Sequence, residues 1–137
     1  MPINKKPIVV KPKKSEEELS FVKFDNPLII KEIEKNFPEM TDEYKRIMWT
    51  QYEIFCKKQH NYGPDNISVG TDLKTVEDIK LSMSGLWFRL NDKIQRLKQL
   101  TINNKVDIVA ESVQDTLSDL SNYGIIGQIV KNKKWGK

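Results

Sequence analysis

The sequence predicts an all-α fold, an antiparallel bundle of three long helices behind a flexible basic N-terminal arm, and three observations carry that prediction. Apolar residues recur every three or four positions over three long stretches. Strong turn signals, Tyr62-Gly63-Pro64 and Asn103-Asn104-Lys105, separate those stretches. No segment rich in Val, Ile and Thr alternates as a sheet strand would.

The elements follow in order. Residues 1–20 hold Pro2, Pro7 and Pro12 among lysines and close with Ser15-Glu16-Glu17-Glu18. Such a composition buries little and reads as a flexible arm, in which Ile8-Val9-Val10 is the one short apolar piece. A helical domain is expected over 21–132 and a basic tail, with Trp135, over 133–137. Leu28-Ile29-Ile30 marks a short helix that stops before Pro38. Thr41 reads as the N-cap of the first long helix, whose apolar positions are Tyr44, Ile47, Met48, Tyr52, Phe55 and Cys56. That helix ends near Asn61, and a loop is expected from Asp65 to Leu73. The second long helix starts at Thr75, where Asp78 completes a capping box, and runs to about Leu100. Its apolar stripe is Ile79, Met83, Leu86, Leu90, Ile94 and Leu97. The third spans about Ile108 to Val130, with Val109, Val113, Leu117 and Leu120 turned inward. The short turn between the last two helices sets them antiparallel. Wide apolar faces that include Trp49 and Trp87 leave a thin core for a monomer, which predicts a homo-oligomer, a dimer or higher.

The chain's 137 residues suit one domain, and its net charge of +4 is concentrated at the ends. Five lysines lie between Lys5 and Lys14 and four between Lys131 and Lys137, so the middle is mildly acidic. Basic ends allow nucleic-acid contact but do not favour it over solvation. Cys56 is the single cysteine, which excludes an internal disulfide and suggests a reducing, cytoplasmic setting. The same residue is expected to be partly buried, with His60 one helical turn away as its only base of that kind. No run of about 18 apolar residues predicts a membrane span, and no signal peptide is visible. A glycine-rich phosphate loop, Cys/His metal spacing and a Gly-x-Ser-x-Gly elbow are all missing from the sequence.

Chemistry is concentrated in the last two helices. If the third helix begins before Glu111, then Glu111, Asp115, Asp119 and Asn122 fall at i, i+4, i+8 and i+11, within about 80° of arc. No lysine or arginine interrupts that stripe. Stacked like charges cost a helix a few tenths of a kcal/mol per pair, which a Mg²⁺ ion held by Glu111, Asp115 and Asp119 would offset. A plain solvated face fits the same spacing. On the second helix Arg89, Asp92, Lys93 and Arg96 share one face. An antiparallel hairpin brings that face beside the acidic stripe, either to grip phosphates or to form an interhelical salt-bridge seam. At the end of the first long helix, Lys57, Lys58 and Tyr62 offer donors and a ring for a phosphate and a base. Tyr62-Gly63-Pro64 is equally a helix terminator.

Three stretches together resemble the nucleotide-modification-associated domain family, found largely in phages. They are Lys-x-x-x-Tyr-Gly (Lys58 to Gly63), Arg-x-x-Asp-Lys-x-x-Arg-Leu (Arg89 to Leu97) and Glu-Ser-x-x-Asp-Thr-Leu-x-Asp-Leu-x-Asn-Tyr (Glu111 to Tyr123). The resemblance covers about Phe55 to Ile129. It implies a role in handling nucleotides in an infected host cell and a helical layout similar to the MazG and dimeric dUTPase pyrophosphohydrolases. Those enzymes bind Mg²⁺ through Glu-Glu-x-x-Glu on one helix and Glu-x-x-Asp on a later one. In this chain Glu111 and Asp115 are four apart, and no Glu-Glu-x-x-Glu lies in the preceding helix.

The first function expected is binding of a (deoxy)nucleotide with Mg²⁺ and cleavage of a nucleoside triphosphate to monophosphate and pyrophosphate. In it Glu111, Asp115 and Asp119 hold the metal, and Asp92 adds a ligand or positions water. Arg89, Lys93, Arg96 and Lys58 neutralise phosphate, while Tyr62 and Asn122 complete the nucleotide contacts. A second class is a non-catalytic helical oligomer that sequesters a nucleotide or nucleotide signal, which the incomplete acidic motif favours. A third is a structural adaptor in a replication or DNA-modification complex.

Overall fold

The computed structural model describes residues 22–137. The arm read from residues 1–20, with Ile8-Val9-Val10, lies outside them. Among the described residues every regular element is helical. The chain divides into two units at Glu43 and Tyr44.

The first unit holds helix α1 (Pro27–Asn36) and the first residues of α2 (Pro38–Tyr62). Asn26 caps α1 by accepting the Ile29 N–H at 3.3 Å, and Pro27 supplies a preset φ at the first helical position. The Phe37 N–H closes the helix on the Ile33 carbonyl at 2.8 Å. Helix α2 then starts at Pro38, three residues before the N-cap expected at Thr41. Pro38 ends one helix and opens the next, because a proline in the first turn needs no hydrogen-bonded N–H. Thr41 sits inside that turn and its Oγ1 donates to the Phe37 and Pro38 carbonyls at 3.1 and 3.2 Å.

In the second unit α2 stops at Tyr62, where Gly63 takes a φ of +70° and donates its N–H to Gln59 at 2.8 Å. The segment expected as a loop contains a helical turn, α3 (Asp65–Ser68), whose Ile67 and Ser68 are buried. Thr75 and Asp78 form the anticipated capping box at the start of α4 (Val76–Leu97), which continues into a π-helical turn over Lys98–Ile102. Helix α5 (Val113–Lys131) begins five residues after the position read from periodicity. Ser112 caps it, accepting the Asp115 N–H at 3.0 Å while Asp115 accepts the Ser112 N–H at 3.1 Å. Ala110 takes a φ of +57°, which no helix admits.

Helices α4 and α5 run antiparallel, as their pairings show: Met83 and Leu86 lie by Gly127, Arg89 over the Tyr123 ring, and Lys93 against Asp119. The core gathers Ile67, Leu73, Leu86, Ile126, Val130 and Trp135, with Phe55, Ile79 and Met83 packed around it. Its inward face on α5 is made by small and polar residues, Thr116, Asn122 and Gly127, beside Ile126 and Val130. Leu117 and Val109, expected inside, are exposed, because the helix starts late and turns its small residues towards α4. Two further expectations change. Cys56 is exposed, and Trp135 is 8% exposed, its Nε1 donating to the Pro64 carbonyl at 2.9 Å. No helix among the described residues is long and apolar enough to cross a membrane.

Candidate functional site

Three elements converge on one run of alternating charges. Lys58, near the end of α2, reaches Asp119 on α5 at 2.9 Å. Lys93 on α4 meets the other oxygen of Asp119 at 2.8 Å and Glu111 at 2.5 Å. Arg96, one turn further, pairs with Asp107 at 2.9 Å and donates from the same nitrogen to the Glu111 carbonyl. Its Nε is buried without a hydrogen bond, 3.7 Å from the Glu111 carboxylate. The geometry follows from local sequence: Lys93 and Arg96 lie three apart on one face of α4, while the capping box fixes where α5 begins and so where Asp119 points.

An open polar cavity of about 360 Å³ lies over this run. Lys58, Lys93, Glu111, Asp115, Ser118 and Asp119 line it. Glu111, Asp115 and Asp119 thus border one space, but not as a stripe on one helix. Glu111 belongs to the irregular connection before α5, Asp115 is exposed and engaged in the capping box, and Asp119 is held between two lysines. Among the described residues no three Asp, Glu, His or Cys side chains are grouped to hold a metal ion. As they stand, these carboxylates serve cationic side chains and a helix cap.

The other expected residues are placed elsewhere. Arg89 faces the α3 turn, donating to the Asn66 carbonyl and side-chain oxygen at 3.0 and 2.7 Å, and lies 5.9 Å from the Tyr123 ring centroid. It anchors structure. Asn122 is buried and donates to the Gln51 carbonyl at 3.5 Å. Asp92 is exposed and joins none of the pairs above, and Tyr62 is 65% exposed and does not line the cavity. Asp107 escapes sequence reasoning: it sits in an irregular segment, eleven residues from Arg96, where no periodicity points to it.

Protonation equilibria register the pairing. Burial resists ionisation of Asp119, yet hydrogen bonds and charge from Lys93 and Lys58 outweigh it and hold the carboxyl below its ordinary value of 3.8. Burial likewise disfavours the Lys93 ammonium, but Asp119 and Glu111 raise it above 10.5. The Val109 N–H, then Arg96, lower Asp107. The depressed Asp119 contributes stability above pH 3.8 that is lost as pH falls through its lower folded value. The raised Lys93 contributes stability below pH 10.5 that is lost as pH climbs through its higher folded value. Urea unfolding at stepped pH should therefore show an acid decline that Asp119→Asn makes shallower. An unchanged acid limb in that variant would count against the pairing.

Residues 73–130 match the family model described as nucleotide modification associated domain 1. Lys93, Arg96, Asp107, Glu111 and Asp119 lie inside that segment and Lys58 lies before it. No curated protein and no solved structure matches the chain. The segment that builds most of this charged cavity, residues 73–130, is thus the part of the chain that is similar to the nucleotide modification associated domain 1 family.

Proposed function

We propose that the cavity receives the phosphate end of a nucleotide, and that Lys58, Lys93 and Arg96 are the groups that bind it. One observation carries this reading. Three cations from two helices border or adjoin one open cavity inside or beside a segment similar to a family named for nucleotide modification, and their anionic partners stand where phosphate oxygens would. Glu111 and Asp107 come from the irregular connection before α5 and hold Lys93 and Arg96 much as a phosphate would. An incoming phosphate displaces these carboxylates; Asp119 stays on α5 and keeps the lysine pair in place. The connecting segment has little else to hold it: Val106, Ile108 and Val109 are exposed.

The protein acts in this reading as a nucleotide binder first. Hydrolysis with Mg²⁺ is a second reading, favoured by the one observation that Glu111, Asp115 and Asp119 all border the cavity. Incubation of the chain with a nucleotide panel, with and without Mg²⁺, followed by mass spectrometry before and after denaturation, separates the two. Binding predicts a nucleotide that is depleted from solution and returns intact. Monophosphate and pyrophosphate formed only with Mg²⁺ would establish the hydrolase. No depletion and no turnover would remove both readings and leave an adaptor role.

A further inference from the structure

Helix α2 carries a row of aromatic rings that ends at the C-terminal tail. Trp49 meets Tyr52 edge-on with centroids 5.9 Å apart, Tyr52 stacks on Phe55 at 6.4 Å, and Phe55 meets Trp135 edge-on at 6.0 Å. One end of the row is closed, because Trp135 is buried. The other is open to solvent: Tyr52 is 58% exposed and Trp49 38%.

The tail is fixed where the row ends. The N–H groups of Lys133 and Lys134 close α5 on the Val130 and Ile129 carbonyls at 3.0 and 3.1 Å, and the Trp135 ring then bonds to Pro64. Lys131, Lys133 and Lys134 are thereby presented from an ordered backbone, and all three are exposed. None of them pairs with a carboxylate among the described residues. From Leu120 to Lys137 the sequence has no Asp or Glu. Asp65, next to Pro64 in the chain, leaves the cluster with an excess of positive charge.

We propose that the exposed rings and the tail lysines together form a surface for single-stranded nucleic acid, with bases stacked on Tyr52 and Trp49 and phosphates against Lys133 and Lys134. The proposal does not depend on the nucleotide reading, since none of these four residues lines the charged cavity. Rings alone would suit an apolar partner, and lysines alone any polyanion. A strand that carries bases and phosphates in alternation uses both, because every base offers a π-face and the backbone needs only cations beside the rings. The Lys57–Glu53 pair, at 2.9 Å and with side chains 72% and 67% exposed, flanks Tyr52 on α2. An apolar partner that covered the row would have to desolvate this pair, whereas a strand lying along the rings leaves it in water. The docking of Trp135 adds to affinity, because lysines on an ordered backbone lose less freedom on binding than those of a loose tail.

Fluorescence anisotropy of the full chain with a labelled oligodeoxynucleotide of about 12 residues, within the roughly 4–16 nucleotides that such surfaces cover, tests this. Wild type should bind at low salt, and affinity should fall as salt rises. Tyr52→Ala should weaken binding by about tenfold, as loss of one stacked base does. The same variant should bind heparin, which has charge but no bases, as wild type does. Lys133→Gln combined with Lys134→Gln should lower the slope of log affinity against log salt by about 1.4, two phosphates at about 0.7 each on a single strand. Circular dichroism should show wild-type helical content in both variants, because the altered side chains are exposed. Lys80→Gln, exposed on α4 and outside this surface, should change neither affinity nor slope. A wild type that does not bind the oligonucleotide would overturn the proposal. So would an unchanged affinity in Tyr52→Ala, an equal loss of heparin binding in that variant, or an unchanged salt slope in the lysine variant.

Discussion

Trp135→Ala is expected to destabilise the chain by about 3–5 kcal/mol, the range for removing a large buried aromatic. Few residues near a chain end carry so much. The ring is 8% exposed, packs edge-on against Phe55 with centroids 6.0 Å apart, and donates from Nε1 to the Pro64 carbonyl. Three links are broken together. The apolar contact with Phe55 disappears, a void opens in the core cluster that holds Ile67 and Val130, and the Pro64 carbonyl at the corner between α2 and α3 loses one of its donors, keeping those from Ile67 and Ser68. With only six buried apolar residues in the described core, the neighbours have little with which to refill the space. Urea unfolding followed by circular dichroism measures the loss. A change below about 1 kcal/mol, typical of surface substitutions, would show that residues 133–137 are a dispensable tail.

Lys93→Met is expected to abolish nucleotide binding and to lower stability by about 2 kcal/mol. The stability figure is reduced from the roughly 3–5 kcal/mol of a broken buried pair because both partners keep some solvent. Lys93 is the central cation of the run, bonded to Glu111 at 2.5 Å and to Asp119 at 2.8 Å. Its removal leaves two carboxylates facing each other across the space that the ammonium occupied. Asp119 then loses one of the two lysines that hold its carboxyl low, so the variant's deficit relative to wild type should shrink as the pH falls into the acid range. Binding and unfolding measured on the same variant separate the two effects: a folded Lys93→Met protein that still binds would exclude this residue from the site.

The parts of the fold most legible in the sequence are those set by short-range chemistry. The Thr75–Asp78 capping box, the Tyr62-Gly63-Pro64 stop and the 3.6-residue periodicity of α4 each act within one or two turns, and each appears where the residues place it. The start of α5 is equally local, since Ser112 and Asp115 form a capping box, but apolar residues at 108 and 109 extend the periodic pattern across it. That five-residue difference moves Glu111 off the helix and removes the continuous acidic stripe. Pro38 shows the same ambiguity: it forbids continuation of one helix and favours the start of another.

The site is legible in composition more than in arrangement. Lys58, Lys93, Arg96, Glu111, Asp115 and Asp119 all stand out in the sequence, and all but Arg96 line the cavity, which Arg96 adjoins through Glu111. Their pairing depends on tertiary distances that spacing does not encode. Lys58 and Asp119 are 61 residues apart, and Asp107 sits in a segment with no repeating pattern. Helical position does not distinguish Arg89 from Lys93 and Arg96, and only the folded chain shows it turned to Asn66. Trp135 reads as tail because four of the last seven residues are lysines; a ring packing back across 71 residues to Pro64 leaves no periodic trace.

In the proposed reading Lys93 and Arg96 are phosphate-binding groups occupied by the chain's own carboxylates, and Glu111→Gln is the decisive substitution. Gln has nearly the same shape as Glu and lacks the charge. Nucleotide affinity should be measured for this variant and the wild type at matched ionic strength, with and without Mg²⁺. If Glu111 competes with phosphate, its neutralisation tightens binding by about tenfold, equivalent to about 1.4 kcal/mol, and the gain does not require Mg²⁺. If binding is instead lost, and the wild-type affinity is found to depend on Mg²⁺, then Glu111 is a metal ligand and competition between its carboxylate and phosphate is ruled out.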